Sequence, residues 1–247
     1  DRRSFGDAKA LSVGSAADNA IVIKDPSVSA HHLRLTLAGD AFRVEALDAA
    51  AHFTLAKGTA PLRDAKTAPA RVGLGRCNLR LSHQGYPAVI VFNSMSPRFK
   101  EYRDIPYFPI DLSLRYRVRL VPDPKAETLA IQSTGSGDRR AQRVGWFEFK
   151  VGTTPVRLAA HRLLEPGSSA DSLSVFFRDA TTGKGSYKVG RYVEPKREAD
   201  GSYILDFNMA YSPACAYSGY YNCPIPPKEN FLPIAIKAGE KDPPYHR

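Results

Sequence analysis

Seven polar residues in the carboxy-terminal half have types and spacings that could do chemistry. Arg178 and Asp179 end an apolar run and lead into Ala-Thr-Thr-Gly, a turn sequence. Tyr187 and Arg191 lie four apart, which on a strand puts both on one face. Asp206 and Asn208 are two apart and would share a face in the same way, and Tyr211 follows. If the three strands are neighbours, guanidiniums, carboxylates, an amide and phenols converge. Such a set can orient a small anion or a sugar in a pocket. It can equally be a structural network, because inward charges are costly unless paired. Arg178 with Asp206, or Arg191 with Asp179, is the natural pairing.

No complete catalytic constellation accompanies this cluster. The sequence lacks G-x-S-x-G, H-E-x-x-H, Walker A and G-x-G-x-x-G motifs. Ser96 has no identifiable histidine partner, His83 and His161 are weak base candidates, and Glu229 sits beside Asn230 in a proline-rich stretch. No cofactor is implied. Cys215 and Cys223 lie eight apart in a Pro/Tyr-rich loop, a spacing that predicts a disulfide in an oxidising compartment. That bridge would place the chain in the periplasm or outside the cell, with a cytoplasmic location left open. Cys77 is expected to be a buried free thiol, since alternation in Cys-Asn-Leu-Arg-Leu sets it beside Leu79 and Leu81. No metal site is expected, because no C-x2-C pair or His/Cys cluster has zinc spacing.

The elements that would position these groups read as strands. Short runs rich in Val, Ile, Phe, Tyr and Leu are separated by Gly, Pro, Asp and Ser, with no long stretch of 3.6 periodicity. Examples are 21–24, 33–37, 42–46, 89–92, 116–121, 146–151, 156–160, 173–178, 203–207 and 232–237. This predicts an all-β chain of two antiparallel units with few short helices. Trp146–Val151, Gly-Thr-Thr and Pro155–Leu158 read as a hairpin. A boundary is expected near Asn93–Pro97, giving a sandwich over 1–94 and a second β-barrel or sandwich over 95–247.

Composition sets further bounds. The chain has 247 residues, 43% apolar and 24% charged, as in ordinary globular proteins. Its longest apolar stretch falls far short of the ~20 residues that span a bilayer. It starts at Asp1 without methionine or an apolar leader, as expected if a leader was removed or a longer gene product precedes it. With 35 Lys+Arg against 25 Asp+Glu it carries a formal charge of +10. Arg115, Arg117 and Arg119 alternate and would share a strand face able to meet phosphates or an acidic partner. No recognition helix, zinc finger or RNP-type pattern accompanies them, which argues against nucleic acid.

Two resemblances complete the reading. Val13-Gly-Ser, Asn19-Ala-Ile-Val-Ile and Ser29-Ala-His-His resemble the opening of forkhead-associated (FHA) domains, small β-sandwiches that bind phosphothreonine. Ser29 and His32 fit the family's Ser-x-x-His. The family's phosphate-binding Arg falls on Ser15, and its later Asn-Gly falls within Asp48–Phe53, where neither residue is present. The resemblance therefore implies an FHA-like fold that has lost phosphothreonine binding, with His32 a structural histidine. Further on, Phe176-Phe-Arg-Asp-Ala-Thr-Thr-Gly-Lys184, Gly190-Arg-Tyr192, Leu205-Asp-Phe-Asn-Met-Ala-Tyr-Ser-Pro-Ala-Cys215, Cys223-Pro-Ile-Pro-Pro-Lys-Glu-Asn230 and Ala238-Gly-Glu-Lys241 are similar to DUF1684, a bacterial and archaeal family of unknown function. Its members normally carry a further amino-terminal segment with a Trp-Leu motif, so the resemblance implies that this chain is either trimmed or incomplete at that end. The family implies a fold and a polar cluster but no reaction. The best-supported expectation is a non-catalytic binding or assembly module facing a protein partner. The alternative is an enzyme, a hydrolase among the options, built on the polar cluster, and a small-molecule ligand would fit that alternative.

Overall fold

The computed structural model describes residues 2–55, 59–83, 86–93, 95, 100, 102–135, 137–166, 168–169 and 171–244. Much of the expected boundary segment, including Ser96, lies outside these residues. The chain divides into two compact units, Asp1–Tyr102 and Arg103–Arg247. The described residues include eighteen strands and four three-residue 3-10 turns.

The first unit holds β1 (Arg2–Ser4), β2 (Ala10–Gly14), β3 (Ile21–Val22), β4 (Leu33–Ala38), β5 (Ala41–Ala46), β6 (Asp64–Thr67), β7 (Arg71–Leu74), β8 (Cys77–Ser82) and β9 (Ala88–Asn93). They form a five-stranded sheet, β3-β2-β4-β5-β6, and a four-stranded sheet, β1-β9-β8-β7. Period-two alternation builds the core between them. Leu33 and Leu35 are buried around exposed Arg34, Phe42 and Val44 around exposed Arg43, and Leu79 and Leu81 around exposed Arg80. Cys77 is buried in that core as a free thiol.

The second unit holds β10 (Arg115–Val118), β11 (Leu120–Pro122), β12 (Thr128–Ile131), β13 (Arg139–Val151), β14 (Thr154–Leu163), β15 (Val175–Phe177), β16 (Arg191–Val193), β17 (Lys196–Arg197) and β18 (Tyr203–Asp206). They form three sheets: β10-β18-β17, β11-β13-β12 with β14 on β13, and β15-β16. All pairs here are antiparallel, and no sheet closes into a barrel among the described residues. The long β13–β14 hairpin turns at Gly152, whose φ of 60° is left-handed backbone that glycine adopts without steric cost. Phe147, Leu158, Val175, Phe177, Val193, Leu205 and Phe207 fill the main core.

Three sequence expectations about elements need correction. The run 116–121 is two strands, since β10 ends at Val118 before β11 begins at Leu120. Arg119 therefore falls in the break, and only Arg115 and Arg117 share the exposed face of β10. Residues 232–237 form no strand; Leu232 and Ile234 bond to the Arg178 and Ala180 backbone, and the ladder stops at Ile236, whose amide and carbonyl are taken by the buried side chains of Asp179 and Arg191. Finally, β16 starts at Arg191 and β18 ends at Asp206, so Tyr187 and Asn208 lie outside the strands expected to carry them.

The β13 bulge gives a direct test of strand packing. Register shifts between Arg143 and Gly145. A Cβ on Gly145 would lie 2.2 Å from the Val121 carbonyl oxygen, a backbone atom of β11 that cannot swing aside. Gly145→Ala is expected to cost about 1–3 kcal/mol, the usual penalty for overpacking. A thermal melt followed through Trp146, the single tryptophan, reads the loss; an unchanged melt would show that β11 does not pack so closely.

Candidate functional site

Asp179 follows β15 and is closed into its own turn. Its carboxylate accepts from the Thr181 hydroxyl (2.9 Å), the Thr181 amide (3.3 Å), the Thr182 hydroxyl (3.2 Å) and the Ile236 amide (2.7 Å). Arg191 opens β16, the partner of β15, and its guanidinium comes within 3.4 Å of the Asp179 carboxylate. The same guanidinium donates to the carbonyls of Ile236 (2.8 Å), Ala238 and Glu240 (3.2 Å). Its side chain has 0% exposure and that of Asp179 has 1%. It also lies over the Phe108 and Phe177 rings, at 5.7 and 5.3 Å. Burial pulls the Arg191 guanidinium below its ordinary range, against the opposing charges of Asp179 and Glu240.

Glu240, also buried, extends this region. Its carboxylate accepts from the Ser212 amide (2.7 Å) and from the phenols of Tyr217 (2.6 Å) and Tyr107 (3.2 Å). Burial and the bond to Glu240 hold the Tyr217 phenol well above its ordinary range. Asn230 is fully buried; its amide donates to the carbonyls of Ala159 (2.9 Å) and Phe176 (2.8 Å) and accepts from the Ala159 amide (2.7 Å). One side chain thus fastens β14 to β15. Sequence reasoning gave neither residue a role, although both stand inside the motifs Pro-Pro-Lys-Glu-Asn230 and Ala238-Gly-Glu-Lys. A charge or amide embedded in a Gly/Pro-rich apolar context was the available signal.

The remaining predicted members sit elsewhere. Asp206 belongs to the other sheet, where β18 pairs with β10 and β17. It meets Arg115 at 3.5 Å, not Arg178, and caps a 3-10 turn (Phe207–Met209) by accepting from the Asn208 amide. Asn208 reaches across to Asp111, accepting from its amide (2.8 Å) and donating to its carbonyl (2.9 Å). Arg178 donates to the Val189 carbonyl. The Tyr211 phenol donates to Glu194 at 3.0 Å, and burial raises it far above its ordinary range. The Arg191–Asp179 pair therefore forms as expected, while Arg178 and Asp206 do not join it.

Cys215 and Cys223 are both free thiols, which corrects the expected disulfide. The loop brings them together without placing the sulfurs at bonding distance. The Cys215 amide donates to the Cys223 sulfur at 3.3 Å, and the two thiols hydrogen-bond each other. The Tyr187 phenol donates to the Cys215 sulfur at 3.8 Å, and Thr134 adds another bond. These donors, Cys223 first, bring the Cys215 thiol down to about 6, while Cys223 and burial-dominated Tyr187 are pushed up. The argument for an oxidising compartment rested on the absent bridge.

Of the base candidates, His161 is fully buried on β14 and stacks on Phe176 at 5.9 Å. Its ring nitrogens have no hydrogen-bond partner among the described residues. Burial brings its pKa down to about 4. His83 packs edge-on to Phe42. Glu229 is exposed, 3.7 Å from Arg143. None of these faces the Asp179–Arg191 pair through any of these contacts.

In the first unit His32 is buried and carries a fixed tautomer. Its Nδ1 accepts from the Ser29 amide (3.0 Å), so Nε2 donates to the His52 carbonyl (3.0 Å). Asn19 donates to the carbonyls of Ala16 and Ala30, and a Cβ on Gly14 would strike the Ala30 oxygen at 2.1 Å. The Ser-x-x-His and Asn-x-Ile residues thus hold loops in place. Around them the charge is mixed, with Asp18 and His31 paired at 3.0 Å. Arg63 spends its guanidinium on the carbonyls of Asp48, Ala49 and Ala51, within the loop where the FHA pattern has Asn-Gly.

Residues 100–241 match the family described as a protein of unknown function (DUF1684). The match covers more than half of the chain, so the chain belongs to that family. Residues 11–58 match the FHA domain. A solved solution structure of an uncharacterized protein from Haloarcula marismortui shares 34% identity, covers 62% of this chain and 85% of its own, and superposes with a TM-score of 0.49. The curated proteins gave no match. Among the described residues no helix is long and apolar enough to cross a membrane.

Proposed function

We propose that this chain is a non-catalytic binding or assembly module that presents its β surfaces to a protein partner. The carrying observation is the state of the polar cluster. Asp179 and Arg191 are inaccessible, paired with each other and bonded to backbone groups of residues 236–240. A carboxylate so occupied has no free lone pair aimed at a substrate, and a catalytic acid or base must reach the proton it moves.

The surface near Asn208 supports the same reading. The Asn208 amide clamps Asp111 at both backbone groups, and beside it Ile110, Leu112 and Met209 are 82%, 76% and 71% exposed. Large apolar side chains displayed together at a braced corner suit a protein contact. The test compares proteins cross-linked in the source cells by wild type and by an Ile110→Asp/Leu112→Asp variant of equal stability. A specific partner should be lost in the variant; an identical cross-linked set contradicts the assignment of this corner. Turnover of any ester, phosphoester or glycoside that Tyr211→Phe or Asp206→Asn removes would favour an enzyme instead.

The first unit is proposed to engage its partner without reading phosphothreonine. A phosphate dianion needs charge-assisted donors in a preformed cup, and Ser15 cannot replace a guanidinium. Anisotropy titration against a phosphothreonine peptide library should show nothing tighter than about 1 mM, equivalent to ~4 kcal/mol. A micromolar complex would refute this.

A further inference from the structure

We propose that Cys215 and Cys223 form a two-coordinate thiolate site for a soft monovalent d10 cation, with copper(I) as its ligand class. The argument starts from placement. Residues 213–224 fold back so that the Cys215 amide donates to the Cys223 sulfur at 3.3 Å and the thiols share a hydrogen bond. The Cys223 amide in turn donates to the Thr134 hydroxyl (3.1 Å), and the Thr134 amide to the Cys223 carbonyl (3.0 Å). Both sulfurs are thus held by backbone anchored to the segment after β12.

The separation suits a cation better than a covalent bridge. A linear sulfur–metal–sulfur unit sets its sulfurs apart by twice a metal–sulfur bond of about 2.3 Å. The two free thiols already face each other, with the Cys215 amide 3.3 Å from the Cys223 sulfur, and a bound cation takes the place of the proton they share. Each thiol gives its proton to solvent as the cation enters, so the binding needs no oxidant or reductant.

The surroundings choose the cation. Ile131, Ala141, Phe176 and Tyr192 pack with Cys223, and half-buried Tyr211, Tyr221 and Cys215 complete the cluster. Calcium and magnesium want several oxygen ligands, and zinc wants four donors in a tetrahedron. Among the described residues no group of three or more His, Cys, Asp or Glu could supply them. Thiolates select soft cations, and copper(I) accepts low coordination in a dry site. Cys215 is only half-buried, which leaves an entry path, and the Tyr187 phenol can keep its bond to the Cys215 sulfur after the cation binds.

The test uses the full chain, reduced and handled without oxygen. Copper(I) is supplied as its acetonitrile complex in competition with a chromophoric copper(I) chelator, silver(I) serves as a redox-inert second probe, and zinc(II) is the control. One copper(I) per chain is expected. Cys215→Ser and Cys223→Ser should each weaken it by more than the roughly 100-fold that loss of a supporting group costs, while Cys77→Ser leaves it unchanged. Should either serine variant misfold, alkylation mapping of the wild type decides: copper(I) or silver(I) should shield Cys215 and Cys223 from iodoacetamide. Failure to bind, equal uptake of zinc(II), binding that persists in both serine variants, absence of shielding, or a 215–223 bridge already present in protein isolated without reductant would each overturn the proposal.

Discussion

Asp179→Ala is expected to destabilise the second unit by about 3–5 kcal/mol, the usual cost of leaving a buried charge without its partner. The variant leaves Arg191 inaccessible with only carbonyl acceptors, and it strips the Ile236 amide of its acceptor. Against a typical stability of ~5–15 kcal/mol, such a loss lowers the melt sharply or prevents folding. Asp206→Ala is the matched control. Asp206 is partly exposed, pairs with exposed Arg115 and caps a single turn, so its loss should cost about 1 kcal/mol. Urea denaturation of both variants checks the ranking. Equal small losses would mean that the Asp179 carboxylate is not bound into the fold.

The second large effect depends on pH and on His161. The group is neutral in the fold, because burial holds its pKa at about 4 against an ordinary 6.5; the Arg143 charge adds to the lowering and Glu229 opposes it. Between those values the unfolded chain binds a proton that the folded chain refuses. Stability is therefore intact above pH ~6.5 and falls as pH drops towards ~4, at about 1.4 kcal/mol per pH unit and roughly 3 kcal/mol in all. His161→Phe keeps a ring against Phe176 and removes the titration. The difference in stability between wild type and variant should widen in the variant's favour from pH 7 to 4.5. Parallel curves would show that His161 protonates freely in the fold.

Alternation made the first unit legible, since Leu33, Leu35, Phe42 and Val44 announce a sandwich core by type and spacing, and it placed Cys77 correctly. Strands that begin in polar sequence were hidden: β13 starts at Arg139, and only its apolar end from Trp146 carried a signal. Residues 232–237 look like a strand because apolar content reports burial, not ladder pairing. The Arg191–Asp179 pair was legible from the cost of isolated charge. The separation of Asp206 from it was not, because which strands are neighbours is a long-range property, and here β18 pairs with β10 across nearly ninety positions. The cysteines show the limit of spacing arguments: eight residues permit a bridge, and the loop instead sets the thiols in hydrogen-bond contact.

The central claim is that the cluster around Asp179 and Arg191 holds the fold and does no chemistry. A double-mutant cycle on Asp179→Asn and Arg191→Met, followed by urea denaturation, addresses it most directly. The account predicts a large loss for each single variant and a coupling energy of about 1–3 kcal/mol, the range for contacting buried groups. Normal stability in both single variants with coupling near zero would contradict it, and would leave the carboxylate and guanidinium free to serve a ligand.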